Sequence, residues 1–216
     1  LLDKLLSVLP EHTDEEEDSD RIKVAVIGKP NTGKSSLVNK MTGEERSIVS
    51  DIAGTTRDAI DTEFENEYGK FTLIDTAGIR RSARVKDVIE KYSVLRARTA
   101  VERADVCLIM IDATEGITEQ DEKIAGIAHE DGKASLVVVN KWDIIEKDND
   151  TAKKFTERVQ AALSFMPYAP IIFVSAKTGL RVNRIFEQIV SVFGQACLRV
   201  PTGTLNEVLG DAIMRS

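Results

Sequence analysis

Basic charge is in short supply in this 216-residue chain: 29 Lys and Arg stand against 36 Asp and Glu, a formal net charge of −7. A surface of that sign does not wrap nucleic acid by bulk electrostatics, because backbone binding needs a positive surface, although a small local contact stays open. Cysteine is scarcer still. Cys107 and Cys197 make neither a metal-type spacing nor a disulfide framework. Cys107 lies inside Asp105-Val106-Cys107-Leu108-Ile109-Met110-Ile111, which reads as a buried strand, so its thiol belongs to the core; such usage suits a reducing cytosol. No apolar run is long enough to cross a bilayer, and the start lacks the basic-then-apolar pattern of a signal peptide. A soluble cytoplasmic protein without a membrane span is therefore expected. No internal repeat is visible. What the chain does have is a hydrophobic fraction of 42%, enough for a sizeable core in one domain of ordinary size with short tails.

Apolar Leu2, Leu5, Leu6 and Leu9 recur at helical spacing before Pro10, and an acidic run, Asp14-Glu15-Glu16-Glu17-Asp18-Ser19-Asp20, follows. Like charges packed so closely repel and stay solvated, as in a flexible linker behind the tail of a preceding domain. Short apolar runs then appear at 23–27, 71–74, 106–111, 136–139 and 171–174. Helical patterns lie at 35–41, 93–103, 119–130, 151–163 and 182–197. Residues 61–67 and 71–74, joined across Tyr68-Gly69-Lys70, read as a hairpin. Buried strands alternating with helices predict a three-layer α/β fold, a mostly parallel six-stranded sheet with one antiparallel edge strand.

Four motifs fall after four of those strands. Gly28-Lys29-Pro30-Asn31-Thr32-Gly33-Lys34-Ser35 fits the phosphate-loop pattern and sits between a strand and the helix that continues through Ser36. Its glycines let backbone N–H groups cradle a phosphate at a helix N-terminus; Lys34 supplies a point charge to the β- and γ-oxygens, and the Ser35 hydroxyl suits Mg²⁺. In Asp75-Thr76-Ala77-Gly78, Asp75 would hold a Mg²⁺-bound water and Gly78 would donate its N–H to the γ-phosphate. Asn140-Lys141-Trp142-Asp143 identifies the base. The Asp143 carboxylate pairs with the adjacent ring N–H and amino group of guanine, whereas adenine presents an acceptor there. Asn140 can tie this loop to the phosphate loop, and the Lys141 stem can cover the base. Trp142 either packs the loop or stacks on the base, packing being the simpler reading. Ser175-Ala176-Lys177 can present a backbone N–H to guanine O6. Ligands of doubly wound sheets sit beyond the carboxyl ends of the strands, where all four motifs fall. The expected ligand is GTP. Between the first helix and the hairpin, Gly54-Thr55-Thr56-Arg57-Asp58 reads as a switch loop in which a Thr, assigned as Thr56, ligates Mg²⁺ and senses the γ-phosphate.

With these residues assembled, the chain resembles a translation-factor-class P-loop GTPase, and more narrowly the second G domain of the Der (EngA) family of tandem-G-domain GTPases of ribosome assembly. The resemblance rests on Ser50-Asp51-Ile52-Ala53-Gly54-Thr55-Thr56-Arg57-Asp58-Ala59-Ile60-Asp61, on Asp75-Thr76-Ala77-Gly78-Ile79-Arg80-Arg81, and on Glu90-Lys91-Tyr92-Ser93-Val94-Leu95-Arg96. It extends through Asp112-Ala113-Thr114-Glu115-Gly116-Ile117-Thr118-Glu119-Gln120-Asp121 and Pro201-Thr202-Gly203-Thr204-Leu205-Asn206-Glu207-Val208-Leu209. It implies residues 1–21 as the end of a preceding domain plus linker, 22–198 as the G domain, and 199–216 as the opening of a C-terminal KH-like domain. It further implies Mg²⁺-dependent turnover of GTP to GDP, with the large ribosomal subunit and its rRNA as partners of the full-length protein and the flanking domains as partners in cis. Thr32 departs from the usual Val and could place a hydroxyl near the phosphates. Ile79 stands where Ras-like proteins carry the Gln that orients water. Relatives of this group use a potassium ion instead, and the matching positions are Asn31, the Ser50 and Ile52 carbonyls, and Thr55. Lys34, Thr56, Gly78 and Asn31 thus form the expected catalytic set. A turn-forming role for Asn31 stays open. So does the role of Arg80-Arg81-Ser82-Ala83-Arg84-Val85-Lys86, either an RNA or interdomain contact or a solvated loop. A nucleotide-controlled binding module with incidental hydrolysis is the competing function; a tRNA-modifying GTPase domain shares the switch loop but fits the tails less well.

Overall fold

The computed structural model describes residues 20–43, 61–76, 79, 90–146, 148 and 150–215. The acidic run before Asp20, the switch-loop positions Ser50, Ile52, Thr55 and Thr56, the pair Ala77 and Gly78, and the basic segment 80–86 lie outside the described residues.

Among the described residues, strands β1 (Ile22–Ile27), β2 (Thr62–Asn66), β3 (Gly69–Ile74), β4 (Val106–Asp112), β5 (Ala134–Asn140) and β6 (Ile171–Phe173) form one sheet in the order β2-β3-β1-β4-β5-β6. Only the β2–β3 pair is antiparallel; the hairpin places β2 at the edge, as its sequence suggested. Helices α1 (Lys34–Thr42), α2 (Glu90–Arg103), α3 (Glu119–Glu130) and α4 (Thr151–Ala162) fall between strands, and α5 (Asn183–Ala196) and α6 (Thr202–Arg215) follow β6.

The period-2 geometry of a strand sorts the core into two layers. Val24 and Val26 of β1 join Leu108 and Met110 of β4 beneath α1 (Leu37, Val38, Met41) and α5 (Ile185, Phe186, Ile189). Their neighbours Ala25, Ile27, Ile109 and Ile111 turn the other way, against α2 (Val101), α3 (Ile124, Ala125, Ala128) and α4 (Val159). Strand β4 is buried at every position because both faces are covered, which is why it reads as an unbroken apolar run. Cys107 belongs to this core, and burial pushes its thiol up to about 12. Helix α6 is different: Leu205, Val208, Leu209, Ile213 and Met214 are exposed on it. No helix among the described residues is long and apolar enough to cross a membrane.

Candidate functional site

The carboxyl ends of β1, β3, β5 and β6 lie along one edge of the sheet, and the four motif loops leave from there. The first loop is shaped by two glycines. Gly28 has φ 149° and its missing Cβ would sit 2.7 Å from the Met110 carbonyl oxygen. Gly33, the residue before α1, has φ 94°, and a Cβ there would sit 2.2 Å from Asn140 Nδ2. Among the described residues no side chain caps α1, and no acidic residue occupies its first turn, so its N-terminal N–H groups and dipole suit an anion. Asn31 takes the left-handed conformation, φ 64°, which Asn tolerates better than most residues, and its side chain is exposed.

Within the loop, Lys34 Nζ donates to the carbonyls of Gly28 (2.7 Å) and Lys29 (2.6 Å). Burial pulls its pKa down to about 8, against which the Asp121 charge works. The Thr32 hydroxyl, which the sequence allowed near the phosphates, instead donates to the Lys29 carbonyl at 3.0 Å within a fully buried side chain. Ser35 Oγ donates to the Ile79 carbonyl at 2.9 Å, so the first loop is joined to the second through the hydroxyl expected to serve Mg²⁺. Ile79 is itself 8% exposed and packed in the core layer under α1. At the end of β3, Asp75 is also left-handed (φ 55°), and its N–H donates to Asp61 Oδ1 at 2.9 Å. Arg103 of α2 pairs with that same Asp61 carboxylate. The neighbouring Thr76 and Thr62 hydroxyls share a hydrogen bond of 2.8 Å.

Asn140 holds the loops together. Its carboxamide is 2% exposed; Nδ2 donates to the Thr32 carbonyl (2.8 Å) and Oδ1 accepts the Ala176 N–H (2.9 Å). One side chain therefore connects the phosphate loop, the base loop and the Ser175–Lys177 segment. The Ala176 N–H is engaged by Asn140, while Lys177 lies exposed. Ser175 is buried, its Oγ accepting the Thr178 N–H at 3.1 Å. Lys141 has φ 61° and its ammonium pairs with Asp112, buried at the end of β4. Burial alone would raise the Asp112 pKa, but hydrogen bonds from Lys141 and Thr114 outweigh it and hold the carboxyl below its usual value. Trp142 packs on Phe173 (ring centroids 4.3 Å) and Phe155 (5.7 Å), 4% exposed, which settles its role as a packing residue. Beside it Asp143 is partly buried, with Oδ1 shielded from solvent.

Sequence reasoning missed the groups that brace these loops: Asp61 with Arg103, Asp112 opposite Lys141, and Asp121 with Glu115 opposite Lys29. The signal for one of them was present, since Thr118 and Asp121 form a capping box at the start of α3.

A phosphate loop between β1 and α1, a base loop carrying Asp143 after β5, and a doubly wound sheet with this strand order define a P-loop GTPase domain. Residues 23–141, more than half of the chain, match the family model described as 50S ribosome-binding GTPase, and the chain belongs to that family. It is 61% identical to GTPase Der of Acetivibrio thermocellus over 98% of this chain and 48% of that protein, and 58% identical to GTPase Der of Clostridium kluyveri over 99% and 49%. The chain thus spans about half the length of the curated relatives it matches. Among solved structures, a point variant of Aquifex aeolicus Era bound to GDP and AlF4⁻ superimposes with a TM-score of 0.59 at 31% identity, covering 80% of this chain and 57% of Era. The elongation factor SelB of Methanococcus maripaludis, in complex with the GTP analogue GppNHp, gives 0.62 at 20% identity over 83% of this chain and 35% of SelB; at that identity the likeness concerns the fold alone.

Proposed function

We propose that this chain binds GTP and hydrolyses it to GDP and phosphate, as the second G domain of a Der-like protein acting in large-subunit assembly. The observation that carries the reading is Asn140, whose buried carboxamide joins the loop that would hold phosphates to the loops that would hold guanine. In this reading Asp143 reads the base, with a backbone N–H of the Ser175–Lys177 segment serving O6. The backbone N–H groups of residues 28–36, at every position but Pro30, and the Lys34 ammonium receive the phosphates, and the Gly78 N–H receives the γ-phosphate. Thr76, Ala77 and Ile79 complete the second loop's contacts.

Ser35, Thr56 and, through water, Asp75 offer the hard oxygen donors that suit Mg²⁺, and would hold it beside the phosphates. When bound, that ion supplies positive charge that offsets the negative charge of the β- and γ-oxygens. The exposed side chain of Asn31, with the Ser50 and Ile52 carbonyls and Thr55, would hold a potassium ion, whose contribution is a fixed charge where negative charge develops. Ile79 supports the need for such help: its side chain is a hydrocarbon packed in the core and orients no water.

Residues 22–198 are the G domain in this reading, residues 1–21 the end of a preceding domain and its linker, and 199–216 the opening of a KH-like domain. The exposed apolar residues of α6 support a further body packing there. The large ribosomal subunit and its rRNA are then partners of the whole protein in the cytoplasm, and the two flanking domains are partners in cis. The competing reading, a nucleotide-controlled binding module whose turnover is incidental, is not favoured by the relatives, which are named as GTPases. Binding of a fluorescent GDP analogue, competed by GDP but not by ADP, tests the site. Single-turnover rates in potassium and in sodium then separate the two readings. Competition by ADP as strong as by GDP would end the proposal.

A further inference from the structure

We propose that Lys29 is a positioning residue for the phosphate loop, tethering it to the start of α3 through Glu115 and Asp121. This deepens, and rests on, the nucleotide reading above. Lys29 is the second residue of the loop, a place where a long cation could reach solvent or ligand. Its side chain turns instead toward Glu115, Thr118 and Asp121. It is 6% exposed, with Nζ 2.7 Å from Glu115 Oε2 and 3.3 Å from Asp121 Oδ2, and it donates to Thr118 Oγ1 at 3.4 Å.

Asp121 is 1% exposed, and the oxygen that faces Lys29 also accepts the Thr118 N–H (3.0 Å) and hydroxyl (2.7 Å), the capping box that starts α3. Desolvation pulls the Lys29 pKa down, but its bonds to the two carboxylates prevail and leave it above the usual lysine value. A buried ion pair is a poor source of stability compared with apolar packing, and its best-attested use is to fix one geometry. Here the geometry fixed is that of the loop's main chain. The Lys29 carbonyl receives the Lys34 ammonium at 2.6 Å and the Thr32 hydroxyl at 3.0 Å. Side chain and main chain of one residue therefore link α3 to the lysine meant for the phosphates.

The segment 113–118 is braced at its other end as well. Asp112 accepts the Lys141 ammonium from the base loop, together with the Thr114 N–H (2.9 Å) and hydroxyl (2.7 Å). Base loop and phosphate loop are thus pinned to opposite ends of a single six-residue connection. A shift of α3 or of that connection reaches both loops at once.

Release of a fluorescent GDP analogue from the 216-residue chain, followed by stopped flow, tests the tether. Lys29→Met and Asp121→Asn should each speed release about tenfold, and the double variant no more than either alone, since coupled partners are not additive. Lys29→Arg should restore slow release, because a guanidinium fork reaches both carboxylates. Glu115→Gln removes only the exposed partner and strands no buried charge; it should speed release about threefold, roughly 0.6 kcal/mol. If Lys29→Met fails to fold, Glu115→Gln decides: faster release supports the tether and unchanged release overturns it. Additive effects of Lys29→Met and Asp121→Asn would likewise overturn it. A wild-type chain that does not bind the analogue would overturn the nucleotide reading and the tether with it, whereas tight wild-type binding with unaltered variants overturns the tether alone.

Discussion

Lys34 donates to two carbonyls of its own loop, and phosphate oxygens are stronger acceptors for the same ammonium. Burial lowers its pKa from 10.5 to about 8. Between those two values the folded, nucleotide-free protein binds fewer protons at this site than the unfolded chain does, so its stability rises with pH across that window. A phosphate beside the ammonium reverses the preference. GDP binding at about pH 8.5 should therefore take up a fraction of a proton. Binding enthalpies measured in two buffers of different ionisation heat should differ accordingly; equal enthalpies would refute this. Asp143 carries the other residue-scale prediction. Asp143→Asn replaces a double acceptor by a mixed donor and acceptor, so GDP affinity should fall by roughly 10⁴-fold, and xanthosine diphosphate should gain. Equal GDP binding by both forms, measured by competition, would remove the guanine assignment.

The turn from β1 into α1 is the element on which the site depends most. Gly33 combines a left-handed backbone with a position where a Cβ would meet Asn140 Nδ2. Gly33→Ala should therefore strain the turn, push the Asn140 carboxamide off the Thr32 carbonyl, and cost about 1–3 kcal/mol of stability. Thermal melts should show the loss with and without GDP, and GDP release should quicken; an unchanged melt would contradict the strain argument. Elements of this kind were largely legible in the sequence, because period, turn residues and motif spacing are local properties. The buried run of β4, the β2–β3 hairpin and helix α3 all fall within a residue or two of where their patterns place them. The bracing was not legible. Asp61 with Arg103 and Lys29 with Asp121 join residues far apart in sequence, and the topology, rather than any local pattern, brings them together. Trp142 admitted two roles because an indole serves equally well in a core or against a base; the neighbouring Phe155 and Phe173 decided between them. Residues 201–209 entered the sequence reading only through the family resemblance and not as a helix; in the structure the apolar residues of α6 belong to neither core layer.

At the scale of the molecule, the proposed hydrolysis would draw on charge that Ile79, a hydrocarbon packed in the core, does not supply. Single-turnover hydrolysis should be faster in potassium than in sodium at equal ionic strength, on the order of 10²-fold, if a fixed cation offsets charge developing between the phosphates. Asn31→Ala should abolish that difference. Rates that match in the two salts would end the potassium assignment. Trp142 offers a way to follow these events without attaching anything to the protein. It is the chain's single tryptophan, enclosed by aromatic rings one residue before Asp143. Light at the red edge of protein absorption excites indole and leaves phenol rings dark, so intrinsic emission comes from one known place. Its intensity should change when guanine arrives at the adjoining carboxylate, and its maximum should move to longer wavelength when denaturant admits water. The folded chain thus carries its own optical gauge, seated beside the base loop.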